Sequence, residues 1–121
     1  RCSIIQRDGR EIHVFDYRGC DTKEVLQLMA RSTSILRAHK SNPDLLYVAD
    51  FTGAPISQKA ISFLREDETI RANQYVKRGA VLGVQGLKRT ILNTFNLLSG
   101  RQFRAFDEME EALAYVLQAP L

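Results

Sequence analysis

Only two cysteines, Cys2 and Cys20, stand in a chain of 121 residues. An Asp8-Gly9 turn would set Cys2 opposite Phe15 and leave Cys20 well past the strand end, so the two are not placed for a disulfide. Free thiols in a reducing compartment are the expectation. Neither has a second Cys or His at ligand spacing, which argues against zinc and any other metal. Tryptophan is absent, and no apolar run reaches the length of a bilayer span. No basic, apolar leader is present, so a cytoplasmic location is expected, although a chain beginning at Arg1 rather than Met leaves a removed leader open. Both histidines, His13 and His39, lie in the first third with no nucleophile motif nearby. No Ser-His-Asp or Cys-His arrangement follows, no catalytic residue is assigned, and an enzyme is the minority reading.

What is present is ordinary globular composition, 45% hydrophobic and 26% charged, enough for one domain over 1–121. The net charge of +3 is unevenly spread. Between Arg71 and Phe106 stand seven basic residues and no acid. Such a block suits an anionic ligand, an acidic partner or nucleic acid, but solvation of several separate faces is the simpler reading, and nucleic acid is not expected.

Ser3–Arg7 and Arg10–Asp16 read as a hairpin about Asp8-Gly9, a pair that tolerates the positive φ of a type I′ turn. Asp21 and Glu24 have capping-box spacing, opening a helix that Asn42-Pro43 ends, with His39 and Lys40 in its last turn. Leu45–Phe51 is a run of seven residues, apolar apart from Asp50, that stops at Thr52-Gly53, the mark of a strand buried on both faces. Ser57 is a candidate N-cap for one helix from Gln58 to Tyr75, its second half exposed. Ala80–Val84 reads as a further strand in which Gly83 implies close backbone approach. A helix with Ile91, Phe95 and Leu98 on one face closes at Ser99-Gly100. A short strand, Gln102–Phe106, precedes a final helix with a second capping-box spacing at Asp107 and Glu110. The fold class is α/β: a mixed, largely parallel sheet of about five strands, begun by the hairpin and covered by about four helices.

Ligands of open α/β sheets bind beyond the carboxyl ends of the strands. Two loops qualify, Asp50–Ser57 and Gln85–Arg89, and neighbouring strands would set them across one crevice. That crevice would hold Asp50, Thr52, Gly53 and Ser57 on one side, with Gly86, Lys88 and Arg89 on the other, the chemistry of an anion site. Asp50 as an acceptor that organises its own loop is the preferred reading over a ligand role. Phe51, Ile56, Phe63 and Leu64 lie close enough to line a small apolar pocket, but core filling is preferred for them.

The hairpin ending in Asp16-Tyr17-Arg18-Gly19, the stretch Leu46–Pro55, the run AVLGVQGLKR over Ala80–Arg89 and the close FRAFDEMEEALAYVL over Phe103–Leu117 together resemble the STAS-like domains. Within them the chain is similar to the SpoIIAA-like (STAS/SEC14) group of small bacterial proteins related to anti-sigma factor antagonists. The resemblance implies a non-enzymatic regulatory module without a cofactor, docking protein partners through loop 50–57 and the helix after it, Phe63 included. A homodimer is a further option. In anti-sigma factor antagonists a kinase modifies a serine of an Asp-Ser-Ser-Gly turn. Here the turn is Asp50-Phe51-Thr52-Gly53, so Phe51 replaces the accepting serine and Thr52 is the only phosphoacceptor left. SEC14-type domains carry apolar ligands between sheet and helix, which makes a small apolar or anionic ligand in the crevice the alternative function.

Overall fold

The computed structural model describes residues 1–120. Strands β1 (Cys2–Arg7) and β2 (Arg10–Asp16) form the expected hairpin, with Asp8 at φ 52° and Gly9 at φ 72° and Cys2 opposite Phe15. Strands β3 (Leu45–Asp50), β4 (Val76–Leu82) and β5 (Arg104–Phe106) follow in spatial order β1-β2-β3-β4-β5, every pair after the hairpin being parallel. All six residues of β3 are buried. Leu45, Tyr47 and Ala49 point to one layer, and Leu46 and Val48 to the other. A central strand covered on both faces has no polar side to show, which is why it reads as a continuous apolar run.

Helix α1 (Thr22–Arg37) opens with a complete capping box, Glu24 N–H donating to Asp21 at 2.8 Å and Asp21 N–H to Glu24 at 3.0 Å. It ends earlier than the proline implies. His39 and Lys40 lie in tight turns beyond it, their N–H groups bonded three residues back to Leu36 and Arg37. The single helix expected over 58–75 is instead α2 (Gln58–Leu64), α3 (Asp67–Ala72) and a 3₁₀ turn (Asn73–Tyr75). Four charged residues in a row, Arg65 to Glu68, give the chain nothing to bury there, and Glu66 adopts extended backbone. The break re-aims the second half, so that Thr69, Ala72 and Asn73 are buried rather than exposed.

Strand β4 starts at Val76, four residues before the expected strand, and Gly83 and Val84 lie beyond its end. Helix α4 (Leu87–Ser99) closes on Gly100 in the left-handed region, as expected, but turns Phe95 and Ser99 inward and leaves Leu98 exposed together with Leu87 and Leu97. β5 is limited to three residues. In α5 (Met109–Leu117) the N-cap is Glu108 and no side chain caps it. The expected Asp107–Glu110 box does not form, and the Glu110 carboxylate instead takes both guanidinium nitrogens of Arg7 at 3.2 and 3.3 Å.

Helices α1 to α4 cover one face of the sheet with Phe15, Tyr17, Met29, Phe95 and Phe103 in the layer between. α5 alone covers the other, burying Ala112, Leu113 and Val116 against Ile12, Val48 and Leu82. No helix is long and apolar enough to cross a membrane among the described residues.

Candidate functional site

β3 ends at Asp50, whose carboxylate is buried. Its Oδ1 accepts from Thr52 N–H at 3.0 Å and from Thr52 Oγ1 at 2.7 Å, the closed turn of an acid that satisfies its own loop. Its Oδ2 lies 3.5 Å from Arg18 Nε. Arg18 in turn grips Asp16 with two bonds of 2.9 Å, and these hold the Asp16 carboxyl below the ordinary carboxylate range. Asp16 and Asp50 are register partners on β2 and β3, so one arginine neutralises the carboxyl ends of two adjacent strands. The sequence reading of Asp50 as loop organiser matches this geometry. Arg18 was not picked out, because nothing in its local sequence says that β2 and β3 finish side by side.

Because β3 and β4 are neighbours, the two candidate loops do meet. Phe51 N–H donates to Leu82 O at 2.8 Å, and Lys88 Nζ donates to Phe51 O at 2.9 Å. Gly53 takes φ 72° at the turn, and Ser57 caps α2 by accepting from Ala60 N–H at 3.2 Å. Gly86 starts α4 with φ 58°. The N–H groups of Lys88 and Arg89 bond to Gln85 O and Gly86 O, and the Arg89 side chain is exposed. Asp50, Thr52, Gly53 and Lys88 are thus brought together, while Ser57 and Arg89 serve the starts of their own helices.

Beneath these loops lies an apolar cavity of about 90 Å³ between the sheet and helices α1 to α4. Phe51, Ile56, Phe63 and Leu64 form part of its wall, so they border a cavity as well as packing on the core, which corrects the preference for core filling alone. Phe51 is held in place by stacking on Tyr17, with ring centroids 4.4 Å apart and an interplanar angle of 17°. Ser32, Thr33, Tyr47, Thr69 and Asn73 set hydroxyl and amide groups into an otherwise apolar lining. Thr33 Oγ1 and Asn73 Nδ2 donate to Met29 O and Thr69 O, at 3.0 and 2.8 Å. Burial raises the Tyr47 phenol above its ordinary pKa, an effect that the neighbouring Ser32 side chain opposes, so it stays neutral. Ser32, Thr33 and Thr69 were missed because they sit on the buried stripes of α1 and α3, where Ser and Thr read as fillers, whereas Tyr47 lies on β3 and Asn73 in the 3₁₀ turn. Among the described residues no cluster of three or more His, Cys, Asp or Glu could hold a metal.

Two solved structures are similar over nearly the whole chain. One is an uncharacterized protein of the DUF3478 family with a SpoIIAA-like fold from Shewanella loihica PV-4, 19% identical, covering 96% of this chain and 92% of its own, with a TM-score of 0.72. This chain has the SpoIIAA-like fold. The other, an anti-sigma-factor antagonist (STAS) domain protein from Planctomyces limnophilus, is 15% identical and covers 94% of this chain and 97% of its own, with a TM-score of 0.55. No family model and no curated protein matches the sequence. At these identities the likeness is one of fold, and it bears out the STAS-like architecture expected from the hairpin, the central strand and the two loops.

Proposed function

We propose that this SpoIIAA-like chain is a non-enzymatic regulatory module that binds a small apolar ligand beneath loop 50–57. The cavity of about 90 Å³ carries the reading. A pocket of this size lined mainly by Phe, Leu, Ile and Val side chains offers little to water. Lys88 reaches the loop beside it, suited to an acidic head group. Native mass spectrometry of gently purified protein should show an added mass that Leu64→Trp, which fills the cavity, removes. Empty protein combined with no thermal shift from fatty acids of any chain length rejects the reading.

A second reading is supported by the Thr52 turn: docking of a protein partner through loop 50–57 and α2, with Phe63 at the contact. Thr52 is exposed, and its hydroxyl donates to the buried Asp50 carboxylate. A phosphate on that oxygen would remove the donated proton and set about two negative charges against Asp50, so the turn must open. Purified wild type, Thr52→Asp and Phe63→Glu that recover the same partners from native extract would sink this reading. In either case the chain acts by binding, in the cytoplasm, and without a cofactor.

A further inference from the structure

The amino-terminal end of β4 carries a second feature, remote from Asp50 and Thr52, which lie at and just past the carboxyl end of β3. There a groove of about 240 Å³ is lined by Lys77, Arg78, Arg101 and Tyr115. Arg104 adds a fourth cation over the Tyr115 ring, its guanidinium carbon 5.6 Å from the ring centroid. Among the described residues no carboxylate pairs with any of the four. We propose that this groove binds a small phosphate-bearing anion such as inorganic pyrophosphate.

The fold brings these cations together by an irregularity. Leu45 pairs with Val76 and Leu46 with Arg78, so Lys77 is an extra residue without a partner on β3. A bulge of this kind re-aims side chains that regular alternation would send to opposite faces. Lys77 Nζ donates to Pro120 O and Arg78 to Tyr115 O at 3.4 Å, so both reach the carboxyl end of α5. Arg101 follows the left-handed Gly100 and donates to Val76 O, which fixes it across the mouth of the same groove. Tyr115 presents its ring to Arg78 at 4.7 Å as well as to Arg104, holding both guanidinium planes by cation–π contact.

Capping of α5 accounts for only part of this charge. The last carbonyls of that helix need donors, and Arg10 already supplies Leu117 O and Ala119 O at 3.2 and 2.6 Å. Neither Arg101 nor Arg104 donates a hydrogen bond to α5 among the described residues. Arg78 and Arg101 each engage one terminal guanidinium nitrogen, leaving their other donors for a ligand. Clustered cations without a counter-charge repel one another, and a planar fork of donors matches phosphate oxygens in pairs. The Tyr115 ring is taken by two guanidinium groups and by Phe106 at 5.2 Å, so the groove offers no free aromatic platform for a base. It therefore reads phosphate rather than nucleobase.

Titration calorimetry of the full chain with pyrophosphate at physiological ionic strength tests the proposal independently of the apolar cavity. Saturable binding is expected, roughly tenfold weaker in Arg104→Gln and weaker again in Lys77→Gln combined with Arg104→Gln. Lys88→Gln, at the other end of the sheet, should leave it unchanged. Arg104 is exposed, so its replacement spares the core and separates lost binding from lost folding. Absence of binding overturns the proposal, as does equal weakening by Lys88→Gln. Retention on vesicles of phosphatidylglycerol in phosphatidylcholine without pyrophosphate binding overturns it too, because the charge would then serve a lipid surface.

Discussion

Gly83 has no room for a side chain because Thr52 occupies it. A Cβ on Gly83 would lie 2.3 Å from Thr52 N and 2.5 Å from Thr52 Cα, both backbone or nearly so and unable to swing aside. Gly83 also takes φ 72°, which L side chains rarely adopt. The loops after β3 and β4 are therefore seated backbone on backbone. Gly83→Ala combines strain with a clash and should cost about 3 kcal/mol in urea denaturation. Gly53→Ala shares the positive φ but meets open space, so about 1 kcal/mol is expected there. Equal midpoints for the two variants would show that contact with Thr52 is not what excludes a side chain at Gly83.

Asp50 can be dissected by graded replacement. Asp50→Ala strips acceptors from Thr52 N–H and Oγ1 and leaves Arg18 with Asp16 alone, an expected loss of about 2 kcal/mol. Asp50→Asn keeps an oxygen for Thr52 and should lose less, and Thr52→Val removes the hydroxyl bond alone, about 1 kcal/mol. Urea midpoints should rank in that order. If the alanine variant matches wild type, the turn does not depend on the acid.

The hairpin, the buried β3, the capping box of α1 and the close approach at Gly83 were all readable in the sequence, because each rests on local chemistry: positive φ, burial on two faces, reciprocal side-chain bonds. The break at Arg65–Glu66 was not, since the choice between one helix and two depends on whether Thr69 and Ala72 find a core to enter. The capping box at Asp107 and Glu110 failed for a related reason. Its acid has a better partner in Arg7, 103 residues away in sequence. The site divides the same way. Asp50 and Thr52 were readable from their turn and Phe51, Ile56, Phe63 and Leu64 as candidates for a pocket wall, whereas Arg18 and the cavity's hydroxyls depend on which elements pack together.

His13 gives the fold an acid-side dependence. Burial, and then the nearby His39 ring, 5.3 Å away, lower its pKa below 6.5, while Glu11 and Asp44 oppose the shift. The unfolded chain therefore takes up a proton at a pH where the native one does not. Stability should be level above about 6.5 and fall as pH drops from there toward the depressed native value. Below that value this contribution to the slope ends. His13→Gln, read as urea midpoints across the same range, should flatten the profile. A wild-type profile with no slope in that window contradicts the assignment.

Lys88 bears most directly on what the cavity accepts. Its ammonium donates to Phe51 O, so it ties the start of α4 to the loop above the pocket while keeping a positive charge at the edge of an apolar lining. The two roles are separable. Lys88→Met keeps the aliphatic stem and loses the tie, about 1 kcal/mol of restraint on the loop, so a bound fatty acid should exchange roughly fivefold faster. Lys88→Glu reverses the charge as well. If the head group of the ligand is an anion, that variant should weaken a fatty acid by about tenfold or more and leave the corresponding neutral amide no weaker than Lys88→Met does. Competition for a fluorescent apolar probe reads both ligands in one assay. Parallel losses for acid and amide would mean that Lys88 acts only as a tether, and that the pocket selects its ligand by apolar fit alone.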